Sequence, residues 1–249
     1  MEKELPLKEM ITRNASVLMK SKHRVQKHGE VFTPQWVVDK MLTIPGIKEK
    51  VEDVFATFLE PSAGEGAFLL AIEDMKLQYV SENYSNEEWN CYALWVLTSI
   101  YGIEFLEDNL AIARQNMLDR FTGYYKAFCG YTLPKRSDLY RSAQTIIWAN
   151  VVQGNALTHL NLLGEEITFS HWERVPDTLS RVHRKPFAYS SLFMDDEKES
   201  QSVQLSLFES IEQLNIFSSN ASEQEETFQL QQYKIVDIEL VWKEEKENG

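Results

Sequence analysis

The sequence has only two cysteines, few basic residues for its acidic ones, and no long apolar run. Each shortage removes a class of protein. Cys91 and Cys129 lack the paired spacing of a zinc site or a disulfide framework, which predicts a reducing, cytoplasmic setting. The 25 Lys and Arg against 38 Asp and Glu leave a net charge of −13. That balance argues against broad, nonspecific binding of duplex DNA by this chain alone. The opening Met1-Glu2-Lys3-Glu4-Leu5-Pro6 lacks the apolar core of a signal peptide. The longest apolar stretch, Cys91 to Ile103, is interrupted by Thr98, Ser99 and Gly102 and is too short to span a membrane. There is no internal repeat, and His159, His171 and His183 are too scattered for a metal site.

What is present is enough for a sizeable core. A chain of 249 residues with 43% apolar side chains predicts one globular domain with an appendage. Residues 1–28 read as a helical segment. Its run Arg13, Lys20, Lys22, Arg24, Lys27 contains no acid, so it is either a solvated helix face or a contact for nucleic acid or an acidic partner. Residues 29–165 carry alternating strand and helix patterns. Thr33-Pro34 predicts a capped helix start, with Val37, Val38, Met41 and Leu42 on one face. Val54 to Glu60 predicts a buried strand and Ala67 to Met75 a helix, followed by a loop over Tyr79 to Glu88. Ser85-Asn86-Glu87-Glu88 has the form of a capping box. Ser99 to Glu104 predicts a second strand, Asp108 a cap for the next helix, and Thr145 to Gln153 a third strand. Residues 166–249 change character. Ile167 to Phe193 is strand-and-loop material, and Asp195 to Gln232 is rich in Ser, Gln and Glu. Tyr233 to Trp242 then predicts a final strand.

The chemistry concentrates in Glu60-Pro61-Ser62-Ala63-Gly64-Glu65-Gly66-Ala67-Phe68-Leu69. A strand, a glycine turn and a helix in this order build a cofactor site at the carboxyl end of a parallel sheet. Gly64 and Gly66 let the backbone turn sharply and approach a ligand. Glu60 can meet a cationic amino group, Glu104 can accept two ribose hydroxyls, and Asn155 can bond an adenine edge. A dinucleotide pattern wants a small residue where Leu69 stands, and a pyrophosphate gains nothing beside Glu60. These details favour S-adenosylmethionine over NAD. Taken singly, each feature has a plainer reading. Gly-x-Gly fits any tight turn, Glu104 a surface or capping acid, and Asn155 a turn residue after a strand.

Four motifs in order resemble the adenine-N6 DNA methyltransferases of restriction–modification systems. Gly29-Glu30-Val31-Phe32-Thr33-Pro34 is similar to their N-terminal motif, and Glu60 to Leu69 to their cofactor motif. Tyr101-Gly102-Ile103-Glu104 resembles their ribose-binding strand end, and Gly154-Asn155-Ala156-Leu157 their Gly-Asp-Ala-Leu. The resemblance implies a Rossmann-like α/β methyltransferase fold with helices on both faces of a parallel-type sheet. It implies an S-adenosylmethionine site formed by Phe32, Thr33, Pro34, Glu60, Pro61, Ala63, Gly64, Gly66, Phe68, Glu104, Phe105, Asn155 and Ala156. Asn155 departs from the family's Asp. The larger departure is that the chain has no Pro-Pro, so the family's Asn/Asp-Pro-Pro-aromatic loop, which grips the flipped adenine, is missing. The family's later strands and target-recognition domain are also absent. The sheet is therefore expected to be incomplete, with a partner subunit supplying the catalytic loop and the contact with DNA. The alternative is a catalytically inactive, cofactor-binding module with a regulatory or defence role.

Overall fold

The computed structural model describes residues 33–193 and 232–246. Two short helices, α1 (Gln35–Leu42) and α2 (Ile47–Glu52), precede strand β1 (Phe58–Glu60). Then come α3 (Ala67–Asn83), α4 (Trp89–Thr98), β2 (Ile100–Glu104), α5 (Glu107–Cys129), α6 (Asp138–Asn150) and β3 (Val151–Gln153). The strands form one parallel sheet in the order β1-β2-β3, with Glu60 beside Gly102 and Glu104 beside Gln153. A second, antiparallel sheet holds β4 (Thr168–Arg174), β5 (Arg181–Ala188) and β6 (Val236–Asp237). The chain is thus a mixed α/β protein built on a three-stranded parallel sheet.

β2 is the central strand and is buried along its whole length, as a parallel strand covered on both faces must be. Neighbouring residues on it point to opposite faces. Gly102 faces α3, where an added Cβ would lie 2.9 Å from Leu69 Cδ1. Tyr101 faces the other way, meets the rings of Phe169 and Phe187 edge-on, and donates its hydroxyl to the Ser170 carbonyl. The β4–β5 hairpin therefore packs on the parallel sheet and shares its core. Asn150 is fully buried where α6 ends. Its amide donates to the Leu97 and Thr98 carbonyls and its oxygen accepts from Trp172 Nε1. One side chain thus ties α4, α6 and the hairpin together.

Several local expectations are corrected. β1 is shorter than Val54 to Glu60 because the carbonyls of Asp53, Val54 and Ala56 accept from buried Lys76 Nζ. The helix after the glycine turn runs on to Asn83, burying Leu77 and Val80, so only residues 84–88 remain of the expected loop. Thr145 to Asn150 is helix, not strand. Ser137 caps α6 by accepting from Tyr140 N, and Leu139, Ala143, Ile146 and Ile147 are buried at helical spacing. Pro34 occupies the N-cap of α1 with no side-chain cap from Thr33, and Met41 is exposed. Ser85 donates through both its N–H and its hydroxyl to Glu88, half of a capping box. Asp108 lies inside the first turn of α5, whose N-cap is Leu106. Tyr233 to Trp242 is not one strand. It gives the two-residue β6 and a 3-10 helix, Ile238–Lys243, and β6 pairs with β5, leaving β1 untouched. The basic run Arg13 to Lys27 and the segment Asp195 to Gln231 lie outside the described residues.

Candidate functional site

The carboxyl ends of β1, β2 and β3 lie side by side, because the register aligns Glu60, Gly102–Glu104 and Gln153. The glycine turn after β1 is clamped onto β2. Ala63 N donates to the Ile103 carbonyl at 2.9 Å, and Gly64 N donates to Glu104 Oε2 at 2.7 Å. Gly64 and Gly66 have φ of +56° and +95°, the left-handed region where glycine has no steric cost. Gly66 has a second reason to be glycine: a Cβ there would sit 3.3 Å from Ala113 Cβ on α5. Around Gly64 a Cβ would meet nothing within 4 Å, so this part of the turn has room for a ligand.

Two carboxylates flank the turn. Glu60 Oε1 accepts from Ser62 N at 3.1 Å, and burial raises its pKa, a shift the Ser62 N–H opposes. A cation arriving here would relieve that desolvation by favouring the charged form. Glu104 is buried, 7% exposed. Besides Gly64 N, it accepts from Leu106 N at 2.9 Å and from Asn109 Nδ2 at 3.3 Å, both on Oε1. The third strand end joins them through Gly154 N, which donates to the Glu104 carbonyl at 3.1 Å. Gln153 Nε2 donates to the carbonyl of Phe105, whose own side chain is exposed.

Asn155 follows, but its side chain is engaged locally. Oδ1 accepts from Leu157 N at 2.9 Å in an Asx turn, and the backbone N–H donates to the Leu160 carbonyl. Its amide nitrogen is the group left to meet a ring nitrogen of a base. Gly154 is fixed by packing, since a Cβ would fall 2.4 Å from Ile167 Cδ1.

The structure therefore brings Glu60, Ala63, Gly64, Gly66, Glu104, Phe105 and Asn155 to one end of the sheet. Pro61 is exposed at the turn, Ala63 is buried beneath it, and Phe68 and Ala156 are half-buried against the core. Thr33 and Pro34 are exposed ahead of α1, and Phe32 lies outside the described residues. Sequence reasoning missed Asn109 and Ala113. Both sit on α5 at positions that an apolar count treats as ordinary, and only the strand-end geometry gives them meaning.

Two cavities, neither lined by the strand-end residues named above, are one of about 640 Å³ lined by Leu70, Asn116, Arg120 and Tyr124 and one of about 310 Å³ between Trp148, Arg184 and Tyr233. Among the described residues no group of three or more His, Cys, Asp or Glu can hold a metal ion, and no helix is long and apolar enough to cross a membrane. Comparison with protein families, with curated proteins and with solved structures finds no match to this chain.

Proposed function

We propose that this chain is the S-adenosylmethionine-binding subunit of a split, site-specific DNA adenine-N6 methyltransferase of a restriction–modification or defence system. The observation that carries the proposal is the joining of three parallel strand ends. They set a left-handed glycine turn between two carboxylates, with Asn155 beside them. The residues fit the cofactor chemically. Glu60 offers a half-buried carboxylate to an amino group, Glu104 an acceptor to ribose, and Asn155 an amide to adenine. Paired acids repel a pyrophosphate and suit a cationic sulfonium ligand. The cofactor supplies an activated methyl group, and this chain binds and orients its donor end.

The partner is argued from β1. Phe58 N donates to the Ser99 carbonyl, immediately before β2. In a parallel ladder Phe58 and Glu60 then bond to β2, while Leu59 N–H and C=O face outward. Among the described residues no strand pairs with that outer edge. An unpaired edge on a buried-type strand must be covered. A second polypeptide that completes the sheet would also bring the missing acceptor-gripping loop close to the cofactor and carry the DNA-reading domain.

The test is methyl transfer to DNA from labelled S-adenosylmethionine. This chain is assayed alone and with the protein of the neighbouring reading frame. The expected result is binding of S-adenosylmethionine but not NAD by this chain, and transfer only by the pair. Transfer by this chain alone, or failure of the two to associate, would overturn the split arrangement. Cofactor binding that no partner converts into transfer would favour the regulatory module instead.

A further inference from the structure

We infer that Glu104 receives one ribose hydroxyl, not two, and that Asn109 sets this limit. The inference rests on the cofactor reading above and sharpens it. A carboxylate has about four acceptor positions, two on each oxygen. Oε1 of Glu104 already accepts from Leu106 N at 2.9 Å and Asn109 Nδ2 at 3.3 Å, which fills it. Oε2 accepts from Gly64 N at 2.7 Å, which leaves one position.

Two of the three donors are backbone groups fixed by the chain. Asn109 is the variable one, and it is held in place. It lies in the first turn of α5, directly after the strand end, and is 1% exposed. The open approach lies on the other oxygen, beside Gly64, where an added Cβ would meet nothing within 4 Å. A diol approaching from that side finds one acceptor on Oε2. Its second hydroxyl faces an oxygen already committed to Asn109. Asn109 is thus a positioning residue. It holds the carboxylate rotamer and makes recognition of the ribose one-sided.

Calorimetry with S-adenosylhomocysteine and its 2′-deoxy and 3′-deoxy analogues tests this on the full chain. One deoxy analogue should bind about tenfold or more weakly than the parent, as expected for one lost charged hydrogen bond. The other should stay within about threefold, because its missing hydroxyl has no acceptor to lose. Asn109→Leu keeps the volume and frees one acceptor position on Oε1, which still accepts from Leu106 N, so both analogues should then bind about tenfold weaker than the parent. Equal losses for the two analogues in the unaltered chain would overturn the inference while leaving the cofactor reading intact. So would an unchanged asymmetry in a folded Asn109→Leu variant. If that variant does not fold, the analogue pair on the unaltered chain decides alone. No binding of S-adenosylhomocysteine at all would overturn both.

Discussion

Lys76 sets up the most direct test of the fold that positions this site. Its amino group is fully buried on α3, with the carbonyls of Asp53 at 2.8 Å, Val54 at 3.2 Å and Ala56 at 2.7 Å and Ser99 Oγ at 2.9 Å as its hydrogen-bond acceptors. These acceptors hold the chain entering β1 to the start of β2. Replacing Lys76 by Met keeps the length and removes every donor. The Val54 and Ala56 bonds are buried, and each orphaned carbonyl costs roughly 1–3 kcal/mol. Asp53 can turn to water, and Ser99 still donates to the Val96 carbonyl. The expected loss is about 3 kcal/mol at pH 9. The pH dependence adds a second check. Burial lowers the Lys76 pKa to about 7, with the nearby Asp53 opposing the shift. The unfolded chain binds this proton up to its ordinary value of 10.5. Stability from this group is therefore full above 10.5 and is lost as pH falls towards 7, with a limiting slope of about 1.4 kcal/mol per pH unit. Lys76→Met removes that slope, so the gap between the two proteins should shrink from pH 9 to pH 7. Urea unfolding at a series of pH values reads both quantities. A Met variant as stable as the parent at pH 9, or a gap independent of pH, would refute the reasoning.

Glu73 behaves in the opposite sense. It is fully buried with neither oxygen hydrogen-bonded among the described residues, and burial first, then Asp74, raises its pKa well above the ordinary value. The folded protein holds that proton more tightly, so stability from this group is present below the unfolded pKa and lost as pH rises. Glu73→Leu should raise unfolding stability by about 1–3 kcal/mol above neutral pH and flatten its decline with pH; a less stable variant at pH 8–9 would contradict this. Gly66→Ala imposes a side chain at φ +95° and against Ala113, which should cost about 1–3 kcal/mol of stability and weaken S-adenosylmethionine binding in calorimetry. Glu104→Ala should weaken that binding by on the order of 1–3 kcal/mol. It should also lower the melting temperature, because Gly64 N, Leu106 N and Asn109 Nδ2 all lose their acceptor. Loss of binding with an unchanged melt would mean that the clamp on the glycine turn is unimportant. Charge reversal of the Arg13 to Lys27 run should weaken DNA association by the complex and flatten its salt dependence, as measured by titration at several salt concentrations.

The sheet was legible where the local pattern and the tertiary demand agree. Ile100 to Glu104 reads as a strand from its apolar run, and burial on both faces gives that run its reason. The Glu60–Gly66 turn was legible because left-handed glycines leave a spacing in the sequence. The misreadings share a cause. Thr145 to Asn150 carries β-branched residues that suit a strand, yet Ser137, eight residues before Thr145, had already capped a helix that buries Ile146 and Ile147. Val54 to Ala56 reads as strand because its side chains are apolar. Its carbonyls go to a lysine twenty or more positions away, and residue types at 54–56 carry no trace of that.

The site divides along the same line. Glu104 stands out in the sequence because an acid at a strand end is unusual, but whether it is free to take two hydroxyls is not a local property. Whether a carboxylate is a ligand or a brace depends on who else donates to it. Here Gly64 N reaches it from forty residues away and Asn109 from five, and the same atoms that shape the glycine turn use up most of its acceptors. Asn155 makes the complementary case. Its plainer reading as a turn residue is expressed, since Oδ1 closes the Asx turn on Leu157, and the proposed adenine contact is left with the amide nitrogen alone. A donor in that place, where the resembled family has an acceptor, favours a ring nitrogen over an exocyclic amine. If the amide donates to a ring nitrogen, a deaza analogue of S-adenosylhomocysteine lacking that nitrogen should bind the unaltered chain several-fold more weakly than the parent ligand, and Asn155→Ala and Asn155→Asp, which both remove the donor, should abolish that difference in calorimetry. Equal effects of ring-nitrogen removal in all three proteins would show that the amide makes no contact with the base.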